Sequence, residues 1–115
     1  MYSKNYKGRC EKRKIDKCKD VIRCYDSIMT AYVNELEHDE NVVEVRVNVL
    51  LDDFPLGEFT TDFVCTLKDG SLRVRECVYR DKIEHPVVVK KLDASRVYWL
   101  HRGIHDWGIV TNAEK

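Results

Sequence analysis

A chain of 115 residues builds one domain around a single core and buries about two-thirds of its unfolded surface. Twenty Lys or Arg balance twenty Asp or Glu, so the formal net charge is zero. No apolar run approaches the roughly 20 residues of a membrane span, and the basic N-terminus has no apolar stretch behind it to read as a secretory signal; we expect a soluble, cytoplasmic protein with no membrane contact.

The balanced charge is unevenly spread. Residues 1–24 hold nine Lys or Arg against Glu11, Asp16 and Asp20, an excess of six cations, and the other 91 residues carry the matching negative excess. We divide the chain accordingly into a basic arm, 1–24, and a folded domain, 25–115. A basic arm on an acidic body suits contact with a polyanion or an acidic protein face, with Lys12, Arg13, Lys14 and Lys17 as candidate nucleic-acid contacts; the alternative is a solvated, partly disordered leader. The five cysteines (10, 18, 24, 65 and 77) are odd in number and form no Cys-x-x-Cys pair. They read as free, partly buried thiols, and a zinc site built from Cys10, Cys18, Cys24 and a histidine is the alternative.

Asp26 or Ser27 can cap a helix running to about His38, in which Ile28, Met29, Tyr32, Val33 and Leu36 recur at three- and four-residue steps and form one apolar face. Asp39-Glu40-Asn41 breaks it. Val43, Val45, Val47, Val49 and Leu51 then alternate with Glu44, Arg46 and Asn48 in a half-buried strand, closed by a turn containing Pro55 and Gly57. From about Glu58 to Tyr79 two short strands flank the Asp69-Gly70 turn, with one acid on each, Asp62 and Glu76. Arg80, Asp81 and Lys82 form a polar loop. Pro86 suits the first turn of a second helix, which ends at Gly103 and buries Val89, Leu92, Trp99 and Leu100. Residues Trp107 to Thr111 make a terminal strand. The order is helix, three strands, helix, strand: an α/β layer fold with a mixed sheet.

A hairpin that brings two carboxylates together is one way to hold a divalent metal beside a phosphodiester. This one resembles the core of the PD-(D/E)xK nucleases, in which an Asp is followed by Glu-x-Lys on the next strand. Tyr25-Asp26-Ser27-Ile28-Met29, Leu36-Glu37-His38-Asp39-Glu40-Asn41-Val42, Thr61-Asp62-Phe63, Arg102-Gly103-Ile104 and Trp107-Gly108-Ile109-Val110-Thr111 together look like the amino-terminal catalytic domain of TnsA-type transposon endonucleases, over residues 12–112 and in that family's order. The resemblance implies a restriction-endonuclease-like fold, metal-dependent DNA cleavage, and Asp62 and Glu76 as catalytic and Mg²⁺-binding residues. The further domain with which family members meet transposase partners has no counterpart in these residues.

The site carried over from the family is incomplete. The family's helix places a metal-binding glutamate three residues after a serine; here Ser27 is followed by Thr30. Thr61 replaces the proline before Asp62. The lysine two residues after Glu76 is Val78. Two carboxylates can still bind Mg²⁺ weakly, but losing one electrostatic contact of the lysine's kind commonly costs on the order of 10²–10³ in rate. Arg80, Lys82, Lys90 and Lys91 are the cations near enough in sequence to replace it. His101 and His105 have the four-residue spacing of helical metal ligands, but Gly103 separates them. A structural alternative pairs Glu76 with Arg46 or Arg73 and makes Asp62 a turn cap.

These readings lead to a nuclease-like protein with a degenerate site, serving a phage or mobile element by binding nucleic acid or a nucleic-acid-handling protein complex, with inhibition of a bacterial CRISPR-type effector as one form. A Mg²⁺-dependent endonuclease with a relocated lysine is the second expectation. A structural subunit pairing its acidic body with a larger basic protein is the third.

Overall fold

A computed structural model of the protein describes residues 10–112. Its elements are β1 (Glu11–Arg13), β2 (Ile22–Cys24), α1 (Ser27–His38), β3 (Val42–Leu50), β4 (Thr60–Leu67), β5 (Leu72–Cys77), a 3-10 turn (Arg80–Lys82), α2 (Pro86–Leu100) and β6 (Asp106–Val110). The fold is mixed α/β. Strands β3, β4, β5 and β6 lie side by side in that order, the first three antiparallel and β6 parallel to β5, while β1 and β2 form a separate antiparallel hairpin. Helix α2 is the connection that a parallel β5–β6 pair requires.

Helix α1 forms as its periodicity dictates. The Asp26 carboxylate accepts from the Met29 N–H at 2.9 Å and so satisfies one of the open donors of the first turn. Ile28, Met29, Tyr32, Val33 and Leu36 are all buried, against Val42, Val45, Phe63, Cys65 and Cys77 of the sheet. Each fully buried side chain of this size contributes about 1.5–3 kcal/mol. The other sheet face carries Val64, Val74 and Val78 and packs on Val88, Leu92 and Trp99 of α2.

Two expectations about core phase need correction. In β3 a bulge between Val42 and Glu44 buries Val42 and leaves Val43 51% exposed; downstream, Val45 is buried and Val47 and Val49 half-buried. In α2 the buried stripe is Val88, Leu92, Ser95 and Trp99, whereas Val89 and Leu100 are 49% and 40% exposed. The buried stripe is shifted from Val89 and Leu100 toward Ser95, whose hydroxyl makes a hydrogen bond inside the protein. The helix ends near Gly103, as its φ of 81° allows: Gly103 N–H donates to the Leu100 carbonyl and Ile104 N–H to that of Trp99, the paired bonds of a glycine C-cap.

The described part of the basic arm is folded. Ile15, Cys18, Ile22 and Cys24 are buried in the α1 core, and Val45 N–H donates to the Lys17 carbonyl at 2.8 Å. The expected boundary at residue 24 therefore separates nothing between residues 10 and 112, because the apolar residues scattered among the charges anchor this stretch to the sheet edge. The remainder of the arm, residues 1–9, lies outside the described residues. Lys17 is structural: its ammonium donates to the Leu36 and Asp39 carbonyls at 2.7 and 2.6 Å, capping the C-terminal end of α1 where a cation is favoured. Lys17→Ala should lower the unfolding free energy by about 1.5–3 kcal/mol, the range for hydrogen bonds to a charged group, while Lys12→Ala should leave it nearly unchanged; paired urea titrations check both.

Candidate functional site

The hairpin of β4 and β5 brings the two acids together. Phe63 pairs with Arg75, which places Asp62 opposite Glu76 one step along, and strand alternation sends both to the α2 side, in phase with Val64, Val74 and Val78. The carboxylates are bound crosswise: Asp62 N–H donates to Glu76 Oε1 at 3.0 Å, and Cys77 N–H donates to Asp62 Oδ2 at 2.7 Å.

The expected open face is absent. Asp62 and Glu76 are each 0% exposed. Ser95 of α2 reaches down and donates its hydroxyl to Glu76 Oε2 at 2.7 Å, and Trp107 of β6 donates its indole N–H to Ser95 Oγ at 3.1 Å. Beside them Trp99 donates its indole N–H to Thr61 Oγ1 at 3.0 Å. Two indoles and a helix thus close over the pair. Sequence reasoning missed Ser95 and Trp107; the available signal was one serine interrupting the apolar stripe of α2, with indoles nearby whose N–H groups need acceptors once buried.

Burial pushes the Glu76 carboxyl up to about 8, reinforced by the neighbouring charge of Asp62 and opposed by hydrogen bonds from Ser95, Asp62 N–H and Thr61. At neutral pH Glu76 is held mainly as the neutral acid. Its partner is a serine, and neither expected cation serves it. Arg73 lies on the opposite face, bridging Asp39 at 3.2 Å and Asp106 at 3.5 Å, and Arg46 is exposed on the edge strand β3.

The other residues expected at the site do not assemble around the acids. Thr30 sits on α1, across the sheet from the pair, with its hydroxyl 3.4 Å from the Asp26 carbonyl. Val78 is buried in the α2 core, and its N–H donates to the Val110 carbonyl. Arg80 donates from Nε to the Asn112 carbonyl at 2.9 Å. Lys82 and Lys90 are exposed and Lys91 is half-buried. Mg²⁺ requires charged oxygens with room for several waters, and a sealed pair with one neutral carboxyl does not fit it. Among the described residues no group of three or more His, Cys, Asp or Glu is disposed to hold a metal ion. Cys18 and Cys24 are core residues, Cys10 is half-buried, none of the five cysteines is in a disulfide, and His101 and His105 are exposed.

Of the cations expected to meet nucleic acid, Arg13 donates to Asn34 Oδ1 at 2.6 Å, Lys14 to the Cys18 and Lys19 carbonyls at 3.2 and 2.7 Å, and Lys17 caps α1. Lys12 is exposed and lies opposite Arg23 in the β1–β2 hairpin. No protein-family model matches the sequence, and no curated protein shows significant similarity to it.

The raised pKa of Glu76 fixes the sign of a pH effect. Between the unfolded value near 4.3 and about 8 the folded state holds the extra proton, so stability should fall as pH rises through that window and level off above it. Glu76→Gln, which keeps the shape of the neutral acid, should flatten this dependence and stand above the parent at pH 9. Urea unfolding of both proteins from pH 4 to 9 measures it.

Proposed function

We propose that the chain is a non-catalytic, nuclease-like binding protein of a phage or mobile element that recognises nucleic acid or a nucleoprotein complex. One observation carries the reading: the acid pair that would hold a catalytic metal is sealed between α2 and the hairpin, with Glu76 hydrogen-bonded to Ser95. A core bond of this kind uses the acids for folding. The order of α1, β3, β4, β5, α2 and β6 agrees with the frame that the resemblance implies, and buried Val78 stands where a lysine would stabilise developing charge. A frame of this class without its chemistry is left with its surface, and the cationic surface of residues 11–24 favours an anionic partner.

The test is cleavage and metal response together. Plasmid, linear and branched DNA incubated with the protein in Mg²⁺ or Mn²⁺ should remain intact, and millimolar Mg²⁺ should leave the thermal midpoint unmoved. Nicking that disappears in Asp62→Ala would instead establish a working endonuclease. The family-like substitutions should not create activity: a glutamate at position 30 lies across the sheet from the pair, and Val78→Lys buries an unpaired charge, with an expected loss of more than about 2 kcal/mol of stability.

A further inference from the structure

The outer face of the β1–β2 hairpin carries a charge arrangement that folding alone disfavours. In its register Lys12 lies directly opposite Arg23, while the inner positions Ile22 and Cys24 are buried and Arg13 turns to Asn34 of α1. Like charges directly opposite on paired strands are destabilising, and no ion pair relieves these two among the described residues, where carboxylates are bound instead by Arg73, Arg75 and Arg96. Two further exposed cations continue the surface. Lys19 and Arg46 line, with Arg23, a groove of about 610 Å³ between the hairpin and β3, whose acids are Asp20 and Glu44.

The ribbon is held in place before any partner arrives. Its inner face is core, Lys17 O accepts from Val45 N–H, and the Asn48 side-chain amide, on a residue with φ of 55°, donates to the Arg23 carbonyl at 3.0 Å. A strand advances about 3.3 Å per residue and a two-stranded ribbon fits the major groove of a duplex. Proteins that hold single strands instead offer aromatic platforms for bases; among the described residues Tyr25, next to β2 in sequence, is half-buried and packs on the core.

We infer that the outer face of the β1–β2 hairpin, with Lys12 and Arg23 at its centre and Lys19 and Arg46 at its side, binds the phosphate backbone of double-stranded nucleic acid. This rests on the reading of the chain as a nucleic-acid-binding protein and names its surface. A contact made to phosphates is released by salt.

Fluorescence anisotropy with labelled duplex and single-stranded DNA over a salt series tests it, using the full chain, Lys12→Thr/Arg23→Thr, and Lys82→Ala/Lys90→Ala as the control. The parent should prefer the duplex. The hairpin variant should lose roughly tenfold in affinity at low salt, and its log–log salt slope should become shallower by about two, one for each phosphate contact removed. Its thermal midpoint should stay level or rise as the repulsion is relieved, whereas a merely structural role for the pair would lower it. The control should bind as the parent does. A parent that binds duplex but is unaffected by the hairpin substitutions overturns this surface and leaves the broader function standing. Preference for the single strand overturns the duplex assignment. A parent that binds neither at low salt removes the nucleic-acid reading itself and points to a protein partner.

Discussion

The hydrogen bond from Ser95 to Glu76 is the contact on which the arrangement of the α2 face depends. It fixes the rotation of α2, and through Trp107 it ties β6 to the same point. A buried acid is tolerated there because its oxygens are met by a hydroxyl and a main-chain N–H and because burial, with Asp62 beside it, favours its protonated form. The Cys77 N–H bound to Asp62 adds a side-chain link to the β4–β5 ladder. The acids therefore act as a polar clasp within an apolar layer.

A clasp and a metal site make opposite demands. Metal catalysis needs anionic carboxylates, open to water and aimed at a substrate; the clasp needs a neutral acid, shut away and aimed at a serine. Proximity on adjacent strands satisfies both, so the two are indistinguishable from the hairpin alone, and α2 decides between them. On the other edge of the molecule the β1–β2 hairpin sets Lys12 against Arg23 beside the groove along β3, an arrangement that folding alone disfavours.

Much of the framework was legible in the sequence. The five core residues of α1 and the acid-bearing hairpin followed from local periodicity, and the glycine C-cap of α2 from one residue. The misses share a cause: each depends on a contact distant in sequence. Ser95 lies on the apolar stripe of α2, but its partner Glu76 is 19 positions away and could not be read locally. The bulge that turns Val43 outward belongs to the pairing of β3 with β4. The stretch 10–24 read as a leader because its charges outnumber its apolar residues, yet Ile15, Cys18, Ile22 and Cys24 suffice to bind it to the core. Three of the four cations assigned to nucleic acid, Arg13, Lys14 and Lys17, turned out to hold the hairpin, its loop and the end of α1. What composition supplied was the sign of the surface; the register shows which cations remain free to use it.

Carbon-detected NMR of the side-chain carboxyls in glutamate-labelled protein tests whether Glu76 is a sealed, proton-bearing structural acid. One carboxyl, assigned by its loss in Glu76→Gln, should titrate near pH 8, well above the exposed glutamates, and should not shift when Mg²⁺ is added. A Glu76 signal that titrates with the surface glutamates, or moves on addition of Mg²⁺, would restore the pair as a metal site.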